Sequence, residues 1–556
     1  MPVVNLRVDK VLKLLKRDLS VEELSEYLAM LGLSVEERQD NILRVEYNPN
    51  RPDFSSVYGV ARALQGLLGI KTGLPRYMPS KPRVKMYVDT SVKDVRPFIG
   101  CAVVRGLRLD EDDLLELISM QEDLHWVIGR NRKKMAIGLH DFSALTPPLT
   151  YKAVKPDEVS FIPLKDYRRM TPAEVLLKNE IGRKYSWLVK DLPRIPVLID
   201  ARGEVFSMPP VVNAALTELT PGVRDVFIDV TGTEKERVSQ ALNILASALA
   251  DAGGKVEQVS VEYGEGRWLT PDMRPYKMQL DVTMASALTG LKLTPASAAR
   301  LLRRMRMDVD VKGGSLTVTY PAYRVDILHP ADLVEEISIA YGYNKMEPIR
   351  PASNTYGRYL YTSEFYEKVC EVMVGLGFSE VYNLLLTNEK THYEIVLIDE
   401  ERHVMLANPA TREYTMLRTS LIPSLLSNLA MNKDNLYPQR IYELGDVVLP
   451  DEGVPEKAVR RKRLAAATAH ADAGYTEIKS VLDELFKQLG KTPAYSPISK
   501  RTFIDGRCAS VSVDGVSVGV AGEVAPQVLE NLGLAMPAAV FEVKIDELAQ
   551  NTKSGF

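Results

Sequence analysis

The sequence predicts an α+β multidomain protein with two related small α/β modules, a mixed α/β region between them and a C-terminal sheet region. Three observations lead there. The chain has 556 residues, 46% of them hydrophobic, more than one core usually holds, so roughly three to five domains are expected. Helical and strand-like hydrophobic periods alternate along its length. A stretch near the N-terminus also recurs, with a fixed offset, past the middle of the chain. The expected domains are 1–72, 88–265, 272–350 and 355–556.

In the first domain, "VEELSEYLAMLGL" has helical apolar spacing, "ILRVEYNPN" reads as a strand and "SSVYGVARALQGLLG" as a second helix. A segment rich in Pro and Lys follows, "KTGLPRYMPSKPRVK", and reads as a linker. The second domain has short strands, helices and many turn residues. Its informative clusters are "AIGLHDFSAL", "EVFSMPPVVN" and "DVFIDVTGTEKE". The fourth opens with the helix "YTSEFYEKVCEVMVGLGF", followed by the strands "SEVYNLLLTN" and "RIYELGDVVL".

The third domain repeats the first. Tyr47 aligns with Tyr320, Arg51 with Arg324 and Asp53 with Asp326, each at an offset of 273 (320 − 47, 324 − 51, 326 − 53). Leu19 and Leu293 differ by 274, so one gap suffices. Both copies read helix, strand, strand, turn, helix.

One segment of the second copy, "YRVDILHPADLVEEISIAYGY", raises its own question. It begins like a buried strand, turns at His329-Pro330 and opens a helix. Asp332, Glu335 and Glu336 crowd one helix face, with Asp326 just upstream. At the repeat offset the three helical acids fall on Gly59, Arg62 and Ala63, so the module folds without them. Acids in a first helical turn favour the helix dipole by roughly 0.3–1 kcal/mol each. Like charges at these spacings repel by roughly 0.2–0.5 kcal/mol per pair, which a hard cation would relieve, magnesium before zinc. An arginine-rich partner surface is the third reading.

At these residues the chain resembles the beta subunit of phenylalanyl-tRNA synthetase, in its archaeal and eukaryotic form. "YRVDILHPADLVEEISIAYGYNKM" is similar to that family's signature and "YNPNRPDFSSVYGVARAL" to its N-terminal motif. "NPATREYTMLRTSLIPSLLSNLAMN" followed by "RIYELGDVV" is similar to its C-terminal domain. The resemblance covers essentially the whole chain, in order. It implies an (alpha-beta)2 heterotetramer with a phenylalanyl-tRNA synthetase alpha subunit. That alpha subunit activates phenylalanine with ATP and charges tRNA(Phe). It implies that 88–265 is an editing-type (B3/B4-like) domain that hydrolyses mischarged Tyr-tRNA(Phe). It also implies that 272–350 is B5-like and that 355–556 is a class II synthetase-like antiparallel sheet domain without catalysis. Asp326, Asp332, Glu335 and Glu336 match the acids that bind magnesium (Mg2+) near the alpha chain.

Editing has a physical motive. A hydrophobic pocket rejects an isostere that adds a hydroxyl by only about 10²-fold, so a second site must remove tyrosine. Such a site hydrogen-bonds the hydroxyl and positions a water at the ester. The polar residues available at turns are Ser207, Asn213, Asp229, Thr231 and Thr233, with His140 and Asp141. "SMPPVVN" and "DVTGT" resemble the family's editing-pocket segments, and His140 is a candidate water-orienting base. Ordinary turn and cap chemistry is the competing reading.

In the C-terminal region "RIYELGDVV" offers Arg440 and Glu443, an echo of a class II phosphate-binding strand. The second arginine motif such a site needs has no match, so charge developing on phosphates would lack a partner. A core strand with a surface arginine is the expectation. The basic runs "GRNRKKM", "RRMR" and "VRRKR" are candidates for tRNA backbone contact or solvated loop ends.

The net charge of −3 announces no nucleic-acid partner by itself. The three cysteines, Cys101, Cys370 and Cys508, lie far apart in sequence with no zinc spacing, which suits a reduced compartment. No signal-peptide core or membrane span is apparent, so a cytoplasmic protein is expected. The leading function is the editing and scaffolding half of phenylalanine–tRNA ligase. The alternatives are a structural or tRNA-binding scaffold with an inert editing domain, and a free-standing editing hydrolase.

Overall fold

The repeat is built twice. In the first copy the antiparallel sheet runs Val3–Arg7, Ile42–Glu46, Ser34–Gln39, with helices Val8–Leu15, Val21–Met30 and Val57–Leu67. In the second it runs Tyr276–Asp281, Ser315–Tyr320, Asp308–Lys312, with helices Val282–Thr289, Pro295–Arg304 and Pro330–Tyr341. Each copy therefore begins with a strand and helix that precede the repeat read in the sequence. Local chemistry is duplicated too. Ser20 and Glu23 form a capping box on the first copy's middle helix, Thr294 and Ser297 on the second's. Each such cap contributes about 1 kcal/mol.

The computed structural model describes residues 2–264, 266–350 and 355–551. It divides into two units, Met1–Arg350 and Pro351–Phe556. Within the first unit the two modules share a single hydrophobic core, which joins Leu6, Leu24 and Val60 to Leu280, Leu302 and Ile337. Though far apart in sequence, the two modules bury their apolar faces against each other. Each module's thin sheet leaves one apolar face open, and the other copy covers it.

The expected strand at the start of "YRVDIL" is absent. The strand ends at Tyr320 and the chain runs irregularly to Pro330. Pro321 has no N–H to continue the ladder, and Arg324 turns inward to bind acids.

Between the modules lies a ten-stranded sheet. Its path is Val212–Asn213, Val205–Met208, Ile195–Ile199, Leu149–Val154, Ser80–Val88, Lys255–Tyr263, Phe98–Arg105, Val226–Gly232 and Met135–Asp141, with Gly266–Thr270 paired to Lys255–Tyr263. Residues 80–85, read as part of a linker, belong to the interior strand Ser80–Val88. Val84 and Met86 are buried while Lys85 is exposed, a period of two that the prolines and lysines obscured. The pairing shifts register beside Pro82, where a donor is missing. Helix Lys235–Asp251 crosses one face and buries Val238, Leu242 and Leu245 there.

The first module is tied to this sheet domain by polar contacts. The Tyr47 hydroxyl donates to Asp123 at 3.1 Å. Arg62 reaches Asp251 at 2.5 Å and stacks on Tyr323 at 3.7 Å. Lys10 lies 2.6 Å from both Asp113 and Glu116.

The second unit is built on a seven-stranded sheet in the order Ser379–Glu380, Gln439–Pro450, Ala458–Ala469, Ala538–Val543, Val516–Val524, Phe503–Val513, Pro493–Pro497. All pairs are antiparallel except Ser379–Glu380 with Gln439–Pro450. Helices Tyr361–Gly375 and Tyr475–Gln488 bury Phe365, Val369, Ile478 and Leu482 in its core. "SEVYNLLLTN" forms only two-residue strands at its ends. Its apolar run has no unbroken partner strand.

Candidate functional site

Strand Val226–Gly232 carries the centre of the site. Val226, Ile228 and Val230 face the helix and core, so alternation puts Phe227, Asp229 and Thr231 on the other face. "DVTGT" looked like a turn, yet Asp229 and Thr231 sit in mid-strand between two partners. Asp229 is opposite Cys101 on one side and Gly138 on the other. His140 lies across from Phe227.

The His140 Nε2 is 2.8 Å from Asp229 Oδ2, and its Nδ1 is 2.8 Å from Thr217 Oγ1. Both His140 and Asp229 are buried. The imidazole bridges the two, with Nε2 donating to the carboxylate and Nδ1 facing the threonine hydroxyl. Gly138 makes room for the pair, since a Cβ there would fall 2.0 Å from Asp229 Oδ2 and 2.7 Å from His140 Nε2.

A cavity of about 330 Å³ opens beside the pair, and Gly138, Ser207, Asn213, Thr217 and Asp229 line it. That volume is in the range of small-ligand pockets. The Ser207 hydroxyl donates to Asn213 Oδ1 at 3.0 Å, and Asn213 Nδ2 donates to the Leu139 carbonyl at 3.3 Å. On the rim, Arg132 stacks on Tyr185 at 3.8 Å, donates to the Val211 carbonyl at 3.0 Å and pairs with Glu122 at 2.7 Å. Burial alone would raise the Glu122 carboxyl, but His125 and Arg132 outweigh it and hold the group at about 2. The most telling atom is Asp229 Oδ1, which is buried without a hydrogen-bond partner. An unsatisfied buried carboxylate oxygen is costly, and native folds retain one for a reason.

Ser207, Asn213 and Asp229 therefore meet at one cavity, with His140 directly behind. Thr231 does not line it. Its Oγ1 accepts from Arg96 Nε at 3.0 Å, and its carbonyl accepts from Arg96 Nη2 at 2.8 Å. Burial lowers the Arg96 guanidinium to about 10 against the opposing pull of Tyr151 and Asp229. Asp141 caps the short turn after its strand, and the Thr233 hydroxyl reaches the Lys134 carbonyl at 3.4 Å. Gly138, Thr217, Glu122 and Arg96 had no local sequence signal. Arg132 stood out only as part of a basic run.

The four acids of the second module do not converge on one point. Arg324 grips Asp326 through Nε and Nη2 at 2.9 and 2.7 Å, and grips Glu336 through Nη2 and Nη1 at 2.6 and 3.1 Å. Asp332 Oδ2 accepts from the backbone N–H of Leu328 and His329, both at 2.7 Å. Glu335 makes no ion pair or side-chain hydrogen bond among the described residues. Partial burial and the charges of Glu336, Asp326 and Asp332 raise its carboxyl. Arg324 neutralises Asp326 and Glu336, so of the four expected ligands Asp332 and Glu335 are the two without a guanidinium partner.

In the C-terminal unit Arg440 pairs with Glu477 at 2.8 Å, and Glu443 is buried against Arg418 at 2.6 Å. Arg440, the cation of the two, is already engaged by a carboxylate. The "VRRKR" run lies in strand Ala458–Ala469, where Lys462 meets Asp446 at 2.9 Å and Arg463 meets Glu542. Arg460 and Arg461 are exposed, with their nearest carboxylates 3.8 and 4.0 Å away. No described helix is long and apolar enough to cross a membrane.

The sheet arrangement and the cavity can be set beside known proteins. Over 548 residues the chain is 41% identical to the phenylalanine–tRNA ligase beta subunit of Archaeoglobus fulgidus, with 98% of each chain covered. It belongs to the phenylalanine–tRNA ligase beta-subunit family. The corresponding subunit of Methanocaldococcus jannaschii is 37% identical, over 98% of this chain and 100% of that one. Residues 278–343 match the tRNA synthetase B5 domain, and 347–545 match the phenylalanyl tRNA synthetase beta chain CLM domain. A crystal structure of an N-terminal fragment of the Pyrococcus horikoshii phenylalanyl-tRNA synthetase beta subunit superposes with a TM-score of 0.60 at 38% identity. It covers 61% of this chain and 99% of that one.

Proposed function

We propose that the chain is the editing and scaffolding subunit of phenylalanine–tRNA ligase and that its cavity hydrolyses Tyr-tRNA(Phe). The observation that carries this reading is the Asp229 carboxylate, which belongs to a cavity-lining residue and has one buried oxygen, Oδ1, without a hydrogen-bond partner. A tyrosyl hydroxyl reaching it would supply the missing donor. A phenylalanyl ring would leave the carboxylate oxygen unpaired. Sites built to hydrogen-bond a hydroxyl reject the analogue lacking it by about 10⁴–10⁵. Discrimination here runs in the direction that charging cannot supply. His140 and Thr217 hold Asp229 in place, and Ser207 with Asn213 offers polar groups for the aminoacyl ester end.

Catalysis of charging is assigned to an alpha partner in an (alpha-beta)2 assembly that also binds tRNA(Phe). The ion pairs that already occupy Arg440 and Glu443 support this division. Magnesium enters the proposal only through water-mediated contacts to Glu335 and Asp332, since hard cations keep much of their hydration. The cytoplasm is the proposed compartment.

The test is deacylation of Tyr-tRNA(Phe) by the assembled enzyme. Asp229→Ala is expected to slow it at least about 100-fold while phenylalanine charging stays within about twofold, on the scale of losing one positioned polar group. Unchanged deacylation would move the editing site elsewhere, whereas equal loss of charging would point to misfolding.

A further inference from the structure

In the C-terminal unit, outside the cavity and the acidic helix, three side chains converge from two nearby segments. Glu389 starts the helical turn Lys390–Glu394, and Glu400 and His403 return on the loop that follows. One ligand atom from each lies within 4.8 Å of the others, the only such group of three among the described residues.

The protonation geometry makes this more than a patch of acids. His403 Nδ1 is 2.8 Å from the Glu401 carbonyl oxygen, which can only accept, so Nδ1 carries the proton. Its side chain is only 8% exposed. The ring is held against Tyr393, with centroids 5.4 Å apart. The remaining nitrogen, Nε2, faces Glu389 Oε1 at 3.3 Å. Nε2 is thus the ring nitrogen left to face the exposed carboxylates of Glu389 and Glu400, while the neighbouring Arg402 is turned to Glu452 at 2.6 Å. An imidazole whose far N–H is fixed by a backbone carbonyl is the usual posture of a metal-ligating histidine.

We propose that Glu389, Glu400 and His403 bind one zinc-class divalent cation that fastens the 395–403 segment to the turn before it. One imidazole nitrogen with two carboxylates suits zinc or cobalt better than magnesium or calcium, which prefer all-oxygen sets. Three protein ligands leave a position for water.

The experiment is zinc titration of the metal-stripped full chain against a chromophoric chelator, with cobalt as a spectroscopic substitute. One equivalent is expected to bind, to give cobalt absorption bands, and to slow proteolysis within residues 395–403. His403→Ala and Glu400→Gln are each expected to weaken it at least about tenfold, while metal-free thermal unfolding matches the parent. Asp332→Asn with Glu335→Gln is expected to leave it unchanged, which separates this site from the acidic helix. Failure of the parent to take up zinc would overturn the proposal and leave an imidazolium–carboxylate pair. Equal binding by His403→Ala would overturn it by placing the metal elsewhere.

Discussion

The two copies of the small module have one backbone plan and opposite uses of the same helix face. In the first, Arg51 holds Asp53 through two hydrogen bonds of 2.9 Å. In the second, Arg324 holds Asp326 the same way and takes Glu336 as well. Arg51 approaches that same Glu336 at 3.8 Å, so the copies meet at a shared carboxylate. The next position differs more. Arg62 in the first copy is buried and bonds Asp251 on the sheet domain. Its counterpart, Glu335, faces outward with no ion-pair partner among the described residues. The two copies share the core and the Arg-x-Asp clasp, while the outer-face position is an internal anchor in one and an uncommitted acid in the other.

The comparison can be broken at its strongest point first. Arg324→Ala strands two buried carboxylates and is expected to cost about 3–5 kcal/mol, more than Arg51→Ala, which strands chiefly Asp53. Denaturant unfolding followed by tryptophan fluorescence measures both, because Trp126, Trp187 and Trp268 all lie in the first unit. Equal costs would mean that Glu336 adds nothing to the second clasp.

Gly59→Ala comes next. Its Cβ would fall 1.7 Å from the Asp53 carbonyl oxygen, so the turn must shift, at about 1–3 kcal/mol. The matching residue, Asp332, instead accepts two backbone N–H groups, and Asp332→Ala is expected to lose about 1 kcal/mol of capping. A tolerated alanine at 59 would show that the two turns are not held by different means.

The smallest effect is Glu335→Gln. A carboxyl raised in the fold contributes stability that is present at low pH and lost as pH rises through its folded value. The variant is therefore expected to match the parent near pH 4 and exceed it at pH 8 by about 0.5 kcal/mol or less. Thermal unfolding at the two pH values reads this directly. A variant less stable than the parent at pH 8 would mean that Glu335 has a partner in the free chain.

The sequence made some of this plain and hid the rest for physical reasons. The 273-residue offset was legible because a duplicated core must keep its apolar period. Ser207, Asn213 and Asp229 were picked out as polar residues at expected turns in segments that resemble the family's editing pocket. The mid-strand position of Asp229 was not, since Asp, Thr and Gly are equally the chemistry of turns. The Arg324 clasp was also missed. Four acids close in sequence suggested a cation, and two of them are held by a guanidinium two residues from the first. Gly138 and Thr217 act only through cross-sheet contacts that no local pattern encodes.

We propose that Glu335, and Asp332 beyond its part in the helix cap, serve assembly with the alpha chain. Co-purified alpha and beta chains carrying Asp332→Asn with Glu335→Gln test it, by measuring the alpha–beta dissociation constant beside the unfolding midpoint of the beta chain alone. The amide introduced by Asp332→Asn would keep an acceptor for the cap, so the midpoint should stay within about 1 kcal/mol of the parent. The account predicts that affinity for alpha then falls at least about tenfold, or about 1.4 kcal/mol. Unchanged affinity would contradict it and leave the acids as ornaments of a helix end.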